Sequence, residues 1–354
     1  MTASLDKRQR PIRDTAFNQR RNHDVTGLLI IVGSVNVSQF WPSGESDGDT
    51  VKFAITEPKT AFKFQSSPDA KPVVTHAFDT AGMFETAKGQ RRFKPLIRNG
   101  TITLRLQGID APELHVPPRV KGGKDFREFQ GETSTVALGD QLKKDKAIIP
   151  CQFITAVSHP QEVVDKFGRF IGEIIFNRGA AEEWNICDWM IEQGRAFPAF
   201  YNSMSVPEIT RLQAAAKSAQ TAKQGIWRYL SNTIGPLDWN MVFRNHGTID
   251  AAKDRGPVVF PKMFRRLCDY SERKKNGTVK GSFASYLAGL KPPDFCYQTT
   301  DFLKAGGQPA KNSRKKLAQY VTAANKYLAG PGDLVFEEAA STIVDMNNKK
   351  INSW

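Results

Sequence analysis

Four carboxyl groups stand in two short motifs of this 354-residue chain. Asp47 and Asp49 flank a glycine in the turn sequence DGDT, and Asp110 and Glu113 lie together in RLQGIDAPE. Two carboxylates that the fold brings together form a hard oxygen site of the kind that Ca²⁺ or Mg²⁺ prefers. A glutamate beside such a site can take a proton from water as a general base. The two motifs therefore predict a site that activates water.

Two arginines extend the pattern. Arg105 lies in the same motif as Asp110, and Arg169 ends the turn sequence DKFGR. A guanidinium group is a fork of N–H donors that matches two phosphate oxygens. Taken singly, each motif has a plain structural explanation, such as an ordinary turn or a strand arginine paired with a neighbouring acid. Their joint order favours phosphodiester hydrolysis, because a metal ion, a base and two guanidinium groups are the parts it needs.

The periodicity of the chain predicts the elements that must position these residues. Strands are predicted at 28–40, 50–55, 101–109, 147–157 and 170–177. Helices are predicted at 126–143, 184–193 and 206–224, the last ending before Gly225. Short strands grouped early, with helices interleaved later, indicate an α+β fold built on a small β-barrel.

The remaining segments are less regular. Residues 57–100 have poor periodicity and several prolines, which predicts an insertion with at most short strands. The end of this insertion is basic, and we interpret it as a solvated loop or as a nucleic-acid contact (Arg91, Arg92, Lys94 and Arg98). Residues 236–354 are predicted to form a second, mainly helical domain of unknown fold, with helices at 263–274 and 313–328. Residues 1–25 are predicted to be a mobile basic arm.

Charge and cysteine content narrow the class of protein. The net charge is +14, and residues 236–354 contribute 19 basic and 11 acidic groups. Such an excess favours a polyanionic partner, although it also fits a merely basic soluble protein. Four scattered cysteines without a CxxC pair fit reduced, buried thiols, with two disulfides as the alternative. We see neither a signal peptide nor a membrane span, so we expect a cytoplasmic protein that does not interact with membranes.

The ordered motifs resemble the staphylococcal (thermo)nuclease family. DGDT, RLQGIDAPE, DKFGR and an Ala-rich helix closing on GIW recur in the order of that family, from about Leu28 to Tyr229. The resemblance implies an OB-like five-stranded β-barrel with three helices. It is interrupted by the insertion at 57–100, which could cover the site, contact nucleic acid or only decorate the barrel.

The resemblance also implies a role for each matched residue. A catalytic Ca²⁺, or Mg²⁺ or another divalent ion, would be bound by Asp49, Asp110 and the backbone carbonyl of Ala111. Asp47 would support this metal site without contacting the ion. Glu113 would be the general base, and Arg105 and Arg169 would hold the scissile phosphate. The residues near the bound nucleotide would be Lys166, Phe167 and either Phe200 or Tyr201, whose ring would stack on a base.

Three functions follow from this pattern. The first is a Ca²⁺-dependent endonuclease that hydrolyses DNA and also RNA. The second is a non-catalytic scaffold module that binds nucleic acid. The third is a nuclease effector or toxin targeted by residues 236–354. The basic clusters Phe264–Arg266, Arg273–Lys275 and Arg314–Lys316 fit either solvated helix faces or a surface that holds nucleic acid or a protein partner.

Overall fold

The computed structural model describes most of the chain. The described residues are 27–37, 46–67, 69–78, 82–87, 90–119, 123–143, 147–157, 159–235, 237–238, 240–243, 253–338 and 342–354. The predicted basic arm, 1–25, lies outside them.

The described residues form short strands throughout, and most of the helices follow the first eight strands. The strands are β1 (Gly27–Asn36), β2 (Thr50–Ile55), β3 (Phe62–Gln65), β4 (Val73–Val74), β5 (Gly82–Ala87), β6 (Gln90–Pro95), β7 (Thr101–Leu106), β8 (Ile109–Asp110), β9 (Ile148–Val157), β10 (Phe170–Phe176), β11 (Trp184–Asn185), β12 (Phe197–Pro198), β13 (Phe200–Tyr201), β14 (Phe295–Gln298), β15 (Lys315–Lys316), β16 (Leu334–Phe336) and β17 (Ile343–Val344). The α-helices are α1 (Pro58–Ala61), α2 (Gly131–Lys143), α3 (Ile186–Glu192), α4 (Val206–Thr221), α5 (Pro261–Lys275), α6 (Phe283–Ala288) and α7 (Thr299–Lys304).

A closed barrel of five strands forms the centre of the fold. β1 pairs antiparallel with β2 and β9, β2 pairs with β7, and β9 pairs with β10. A parallel contact between β7 and β10 closes the ring. This mixed, OB-like barrel with its surrounding helices confirms the predicted α+β fold class.

The barrel interior explains the alternating sequence of its strands. In β7 the side chains of Ile102, Leu104 and Leu106 are buried, and those between them are half-buried. Gly33 and Gly172 lie where strands pass closely, since a Cβ atom there would come within 2.1 Å of the Ala54 carbonyl oxygen and 2.6 Å of the Ile154 carbonyl oxygen, respectively. The close approach of the strands at these two points therefore depends on residues without side chains.

The described part of residues 57–100, predicted to be an insertion with at most short strands, contains the one-turn helix α1 and the strands β3 to β6. β3 pairs with the first half of β1, and β5 and β6 form a hairpin. β17, near the end of the chain, pairs with β5. The side chains of Arg91, Arg92 and Lys94 lie outside the described part of the structure, whereas Arg98 is exposed.

The described part of residues 236–354, called the C-terminal segment below, packs its apolar side chains into the same hydrophobic core as the barrel. β16 pairs in parallel with β13 and antiparallel with β14, and the ring of Trp354 stacks on Phe64 with centroids 4.4 Å apart. The boundary predicted at residue 235 stays a prediction, but strand pairing and ring stacking cross it.

One predicted helix is absent from the structure, and two others begin later than predicted. The helix predicted at 313–328 is wrong: β15 and a 3₁₀ turn (Leu317–Tyr320) occupy its first half, and Asn325 adopts a positive φ of 57°. The pairing of β15 with β14 takes the place of helical hydrogen bonds there. The other two begin late, because Gln130 has a φ of 67° before α2 and Asn185 caps α3 by accepting from the Cys187 N–H at 2.8 Å.

The structure also bears on the predictions for the cysteines and for membrane-spanning helices. All four cysteines are buried and unpaired. Among the described residues, no helix combines the length and the apolar composition that a membrane crossing needs.

A buried acid ties the C-terminal segment to the start of α2. The carboxylate of Asp254 accepts hydrogen bonds from the N–H groups of Gln130 and Thr133 at 3.0 and 2.9 Å, and from Arg127 at 2.6 Å. Its side chain is 1% exposed, so the pair with Arg127 is formed away from water. Asp254 therefore accepts from backbone N–H groups at the start of α2, where helical hydrogen bonding leaves such groups without a partner.

We expect Asp254→Ala to lower the free energy of unfolding by about 3 kcal/mol, because it leaves the buried Arg127 cation without this partner. Urea unfolding of both proteins measures the difference. The matched control is Asp140→Ala, which removes an exposed acid from the same helix and should change stability by less than about 0.5 kcal/mol. Equal effects of the two substitutions would contradict the anchoring role.

Candidate active site

Strand register brings the two acidic motifs together. Thr50, at the start of β2, pairs with Arg105 on β7, and the Leu106 N–H donates to the Asp49 carbonyl oxygen at 2.8 Å. A turn at Gly108, with a φ of 77°, then leads into β8, which pairs with β12 and carries Asp110. DGDT and RLQGIDAPE therefore meet at one end of the barrel.

The DGDT turn packs directly on the loop after β8. The Asp47 carboxylate accepts a hydrogen bond from the Leu114 N–H at 3.0 Å. A Cβ atom at Gly48 would lie 3.0 Å from the Cβ of Ala111. The predicted supporting acid thus fixes the loop that carries Glu113, and the glycine between the two acids permits that close contact.

The two arginines reach the site from different directions. Arg105 donates from Nη2 to the Tyr201 hydroxyl at 3.2 Å and lies 4.0 Å from Asp110 Oδ1. Arg169 donates from Nε to Asp165 Oδ2 at 2.8 Å and from Nη1 to the Thr50 hydroxyl at 3.1 Å. That hydroxyl is in turn 3.1 Å from Asp49 Oδ1 and donates to it.

The predicted nucleotide-binding residues divide into two groups. Phe167 is 48% exposed, with Lys166 Nζ 5.0 Å and Arg169 Cζ 5.6 Å from its ring centroid. Of the two aromatic alternatives, Tyr201 lies beside the site, with Arg105 Cζ 5.3 Å from its ring centroid. Phe200 is fully buried in the core and is not brought to the site.

Arg265, on α5 of the C-terminal segment, enters this site. Its Nη1 and Nη2 atoms donate to Asp110 Oδ1 and Oδ2 at 3.0 and 2.9 Å, and Nη1 also donates to Glu113 Oε1. The sequence marked Arg265 only as part of a basic cluster on a helix. Its inward position had no local signal, because the contact spans about 150 residues of sequence.

Two further acids were missed by sequence reasoning. The buried Glu128 accepts from the Glu113 N–H at 3.3 Å and from the Val259 N–H at 3.1 Å. Asp294, just before β14, accepts hydrogen bonds from Nε and Nη2 of Arg266 at 2.7 and 2.8 Å. Both acids fix α5 and the chain before it relative to the site.

Burial and mutual repulsion set the protonation of the acids. Burial raises the pKa of Glu113 to about 8 against the opposing charge of Arg265, and burial together with Asp49 raises that of Asp47 to about 6. Burial and Asp110 raise the pKa of Asp49. Burial acts in the same sense on Asp110, but the Arg265 guanidinium outweighs it and lowers the Asp110 pKa.

The residues predicted to bind a divalent ion have suitable oxygen donors, but these donors are not arranged to hold an ion. Asp49 and Asp110 are buried carboxylates, the oxygen donors that Ca²⁺ prefers, and Ala111 is adjacent. However, Arg265 engages both carboxylate oxygens of Asp110 and also Glu113. Within the described residues, no group of three or more His, Cys, Asp or Glu side chains is arranged to hold a metal ion. Arg265 therefore takes the place at Asp110 that the resemblance gives to the ion.

Comparison with known proteins supports the resemblance. Residues 103–229 match the family model of the staphylococcal nuclease homologues. A domain of this family is typical of hydrolytic nucleases and of nucleic-acid-binding modules. The match begins inside β7, whereas the closed barrel also includes β1 and β2.

A second similarity covers a small part of a longer protein. The chain is 28% identical over 116 residues to a protein named alpha-1,4-glucan:maltose-1-phosphate maltosyltransferase from Burkholderia pseudomallei (strain K96243). The aligned region is 33% of this chain and 9% of that protein. The chain thus spans less than a tenth of that relative, whose named activity does not transfer to it.

The raised pKa of Glu113 predicts a pH-dependent contribution to stability. The group keeps its proton to about pH 8 when folded, but its ordinary pKa is 4.5, so the folded state binds more protons between these values. The free energy of unfolding of the wild type, relative to Glu113→Gln, should therefore fall as pH rises from 5 to 8. Urea unfolding at several pH values measures this difference, and one that stays flat would mean that Glu113 is already ionised beside Arg265.

Proposed function

We propose that this chain is a nuclease that hydrolyses phosphodiester bonds in DNA and also in RNA. The observation that carries the proposal is the convergence of Glu113, Arg105 and Arg169 at one end of the barrel, although Arg169 lies in a different motif from the other two. Register between β2 and β7, the turn at Gly108 and the turn before β10 produce this convergence. The match of residues 103–229 to the staphylococcal nuclease homologues supports the same function.

The chemistry follows from the side chains. Glu113 would take the proton from the attacking water, and its pKa of about 8 means that it is ionised, and so able to act as a base, mainly above pH 8. Arg105 and Arg169 would hold the non-bridging oxygens of the phosphate and stabilise the negative charge that develops on them. Tyr201 and Asp165 keep the two guanidinium groups in position by direct hydrogen bonds.

The family resemblance implies Ca²⁺ as the cofactor, which would supply positive charge for the phosphate and the water. In this structure the guanidinium group of Arg265 contacts the carboxylates assigned to that ion. The residues that would hold Ca²⁺ are Asp49 and Asp110, with the carbonyl of Ala111, once that guanidinium group has left.

A non-catalytic nucleic-acid-binding module is the second candidate function. The hydrogen bond of Arg265 to Glu113 favours it, because a base bound to a guanidinium group is less able to accept a proton from water. In that case the exposed Phe167 ring and its cationic neighbours would be the working part of the surface.

Glu113→Gln distinguishes the two functions. We expect the substitution to slow cleavage of a fluorescent single-stranded DNA by about 100-fold or more, since general bases typically contribute that much. Binding of the same DNA, measured by anisotropy, should change little. The matched control is Glu182→Gln, which alters an exposed glutamate in a turn between β10 and β11. Undetectable cleavage by the wild type, with or without Ca²⁺ and with binding intact, would favour the binding module.

Phe167→Ala tests the binding surface. An exposed ring flanked by cations can stack on a base, and such stacking is worth about 1–3 kcal/mol per base. We therefore expect binding of single-stranded DNA to weaken by about tenfold in the Glu113→Gln background, with the melting temperature unchanged. Leu328→Ala removes another exposed apolar side chain, 64% accessible, and serves as the control. Equal affinities for both variants would contradict stacking at Phe167.

A further inference from the structure

Arg265 forms a two-pronged ion pair with a buried carboxylate. Asp110 is fully buried, and both of its oxygens accept from the two terminal nitrogens of the same guanidinium group. The third contact, to Glu113, places one cation between two acidic side chains. Two-pronged guanidinium–carboxylate contacts of this kind are among the strongest charged hydrogen bonds in proteins.

Helix α5, which carries Arg265, is held in place by its neighbours. Met263 and Cys268 are buried in the core. Phe260, just before the helix, stacks on Phe336 with centroids 6.1 Å apart. On the far side, Asp269 contacts Arg119, and the Arg119 N–H donates to Glu272 at 2.9 Å. The backbone therefore delivers the Arg265 side chain to the site, and only rotation of that side chain would remove it.

The charge balance explains why a cation is required at this point. Asp49, Asp110 and Glu113 are each less than 10% exposed, and burial together with the nearby charge of Asp110 raises the pKa of Asp49 and of Glu113. A buried carboxylate is costly without a compensating charge. Arg105 approaches Asp110 only to 4.0 Å, so Arg265 is the closer cation for that acid.

We propose that Arg265 is the resident cation of this site and that its pairing with Asp110 and Glu113 excludes a divalent cation from the same carboxylates. The proposal deepens the proposed function, because it concerns the site that would cleave the phosphodiester. A divalent ion on Asp110 needs the oxygens that Arg265 uses, so each cation binds only when the other has left. Swinging of the Arg265 side chain, which is 32% exposed, exchanges the two states.

Direct Ca²⁺ binding tests the proposal without any measurement of activity. The full chain is freed of metal with a chelator and titrated with Ca²⁺ in a calorimeter, as wild type and as Arg265→Gln. If the arginine is paired in about nine molecules of ten, its removal makes the apparent affinity about tenfold tighter. The double variant Asp110→Asn with Arg265→Gln should lose this gain, which would locate the ion on Asp110.

Arg266→Gln is the matched control. Arg266 is the next residue on α5, has a similar exposure of 35%, and forms its own two-pronged pair with Asp294. Its substitution removes the same charge from the same helix but leaves the pairs of Asp110 and Glu113 intact. Its Ca²⁺ affinity should therefore equal that of the wild type. A gain as large as that of Arg265→Gln would reduce the effect to general charge and overturn the proposal.

A second variant covers the case in which Arg265→Gln does not fold. Arg265→Lys keeps the positive charge, but an ammonium group cannot hold both oxygens of Asp110 as a planar fork does. We expect a smaller, several-fold gain in Ca²⁺ affinity. Thermal unfolding shows which variants are folded. Equal Ca²⁺ affinity of the wild type and the folded Arg265 variants, whether tight or undetectable, overturns the proposal.

The outcome is separable from the proposed function. If wild type cleaves DNA but the Arg265 variants bind Ca²⁺ no better, only the present inference is wrong. If the variants gain Ca²⁺ binding and no form of the protein cleaves nucleic acid, only the nuclease proposal is wrong.

Discussion

Burial of several carboxyl groups at one end of the barrel is the constraint on which the site depends. Asp49, Asp110 and Glu113 lie almost wholly out of water, so their charge must be neutralised by protons or by nearby cations. Arg105 supplies one such cation from within the barrel, and Arg265 supplies another from the C-terminal segment. The second half of the chain therefore completes the electrostatics of the first.

A buried carboxylate is also compensated by nearby groups where the C-terminal segment meets α2. Asp254 is buried, and Arg127 and the N–H groups at the start of the helix compensate it. Glu128 bridges the loop of Glu113 to the chain just before α5 by accepting from Val259. These contacts set the position of α5, and α5 determines where the guanidinium of Arg265 lies. The acids of the barrel thus depend on a chain of polar contacts that reaches far from the site.

Local sequence predicted the parts of the structure that local forces determine. The alternation of β7 reflects burial of one strand face, and the apolar run at the start of β1 reflects burial of both faces. Both properties are visible in a single segment. The order of DGDT, RLQGIDAPE and DKFGR anticipated which residues converge, because the barrel register then brings them together. The helix predicted at 313–328 was wrong because a contact outside that segment decides its structure. Pairing of β15 with β14 overrides the helical spacing of the sequence.

Arg265 illustrates the limit of such reasoning most clearly. Arg265 and Arg266 are adjacent, carry the same charge and sit on one amphipathic helix, so sequence alone assigns them the same surroundings. Their exposures are also similar, yet one contacts Asp110 and Glu113 and the other contacts Asp294. The difference arises from the rotation of α5 against the barrel, which the burial of Met263 and Phe264 sets. Apolar packing of the helix thus decides which of two neighbouring cations reaches the acidic site.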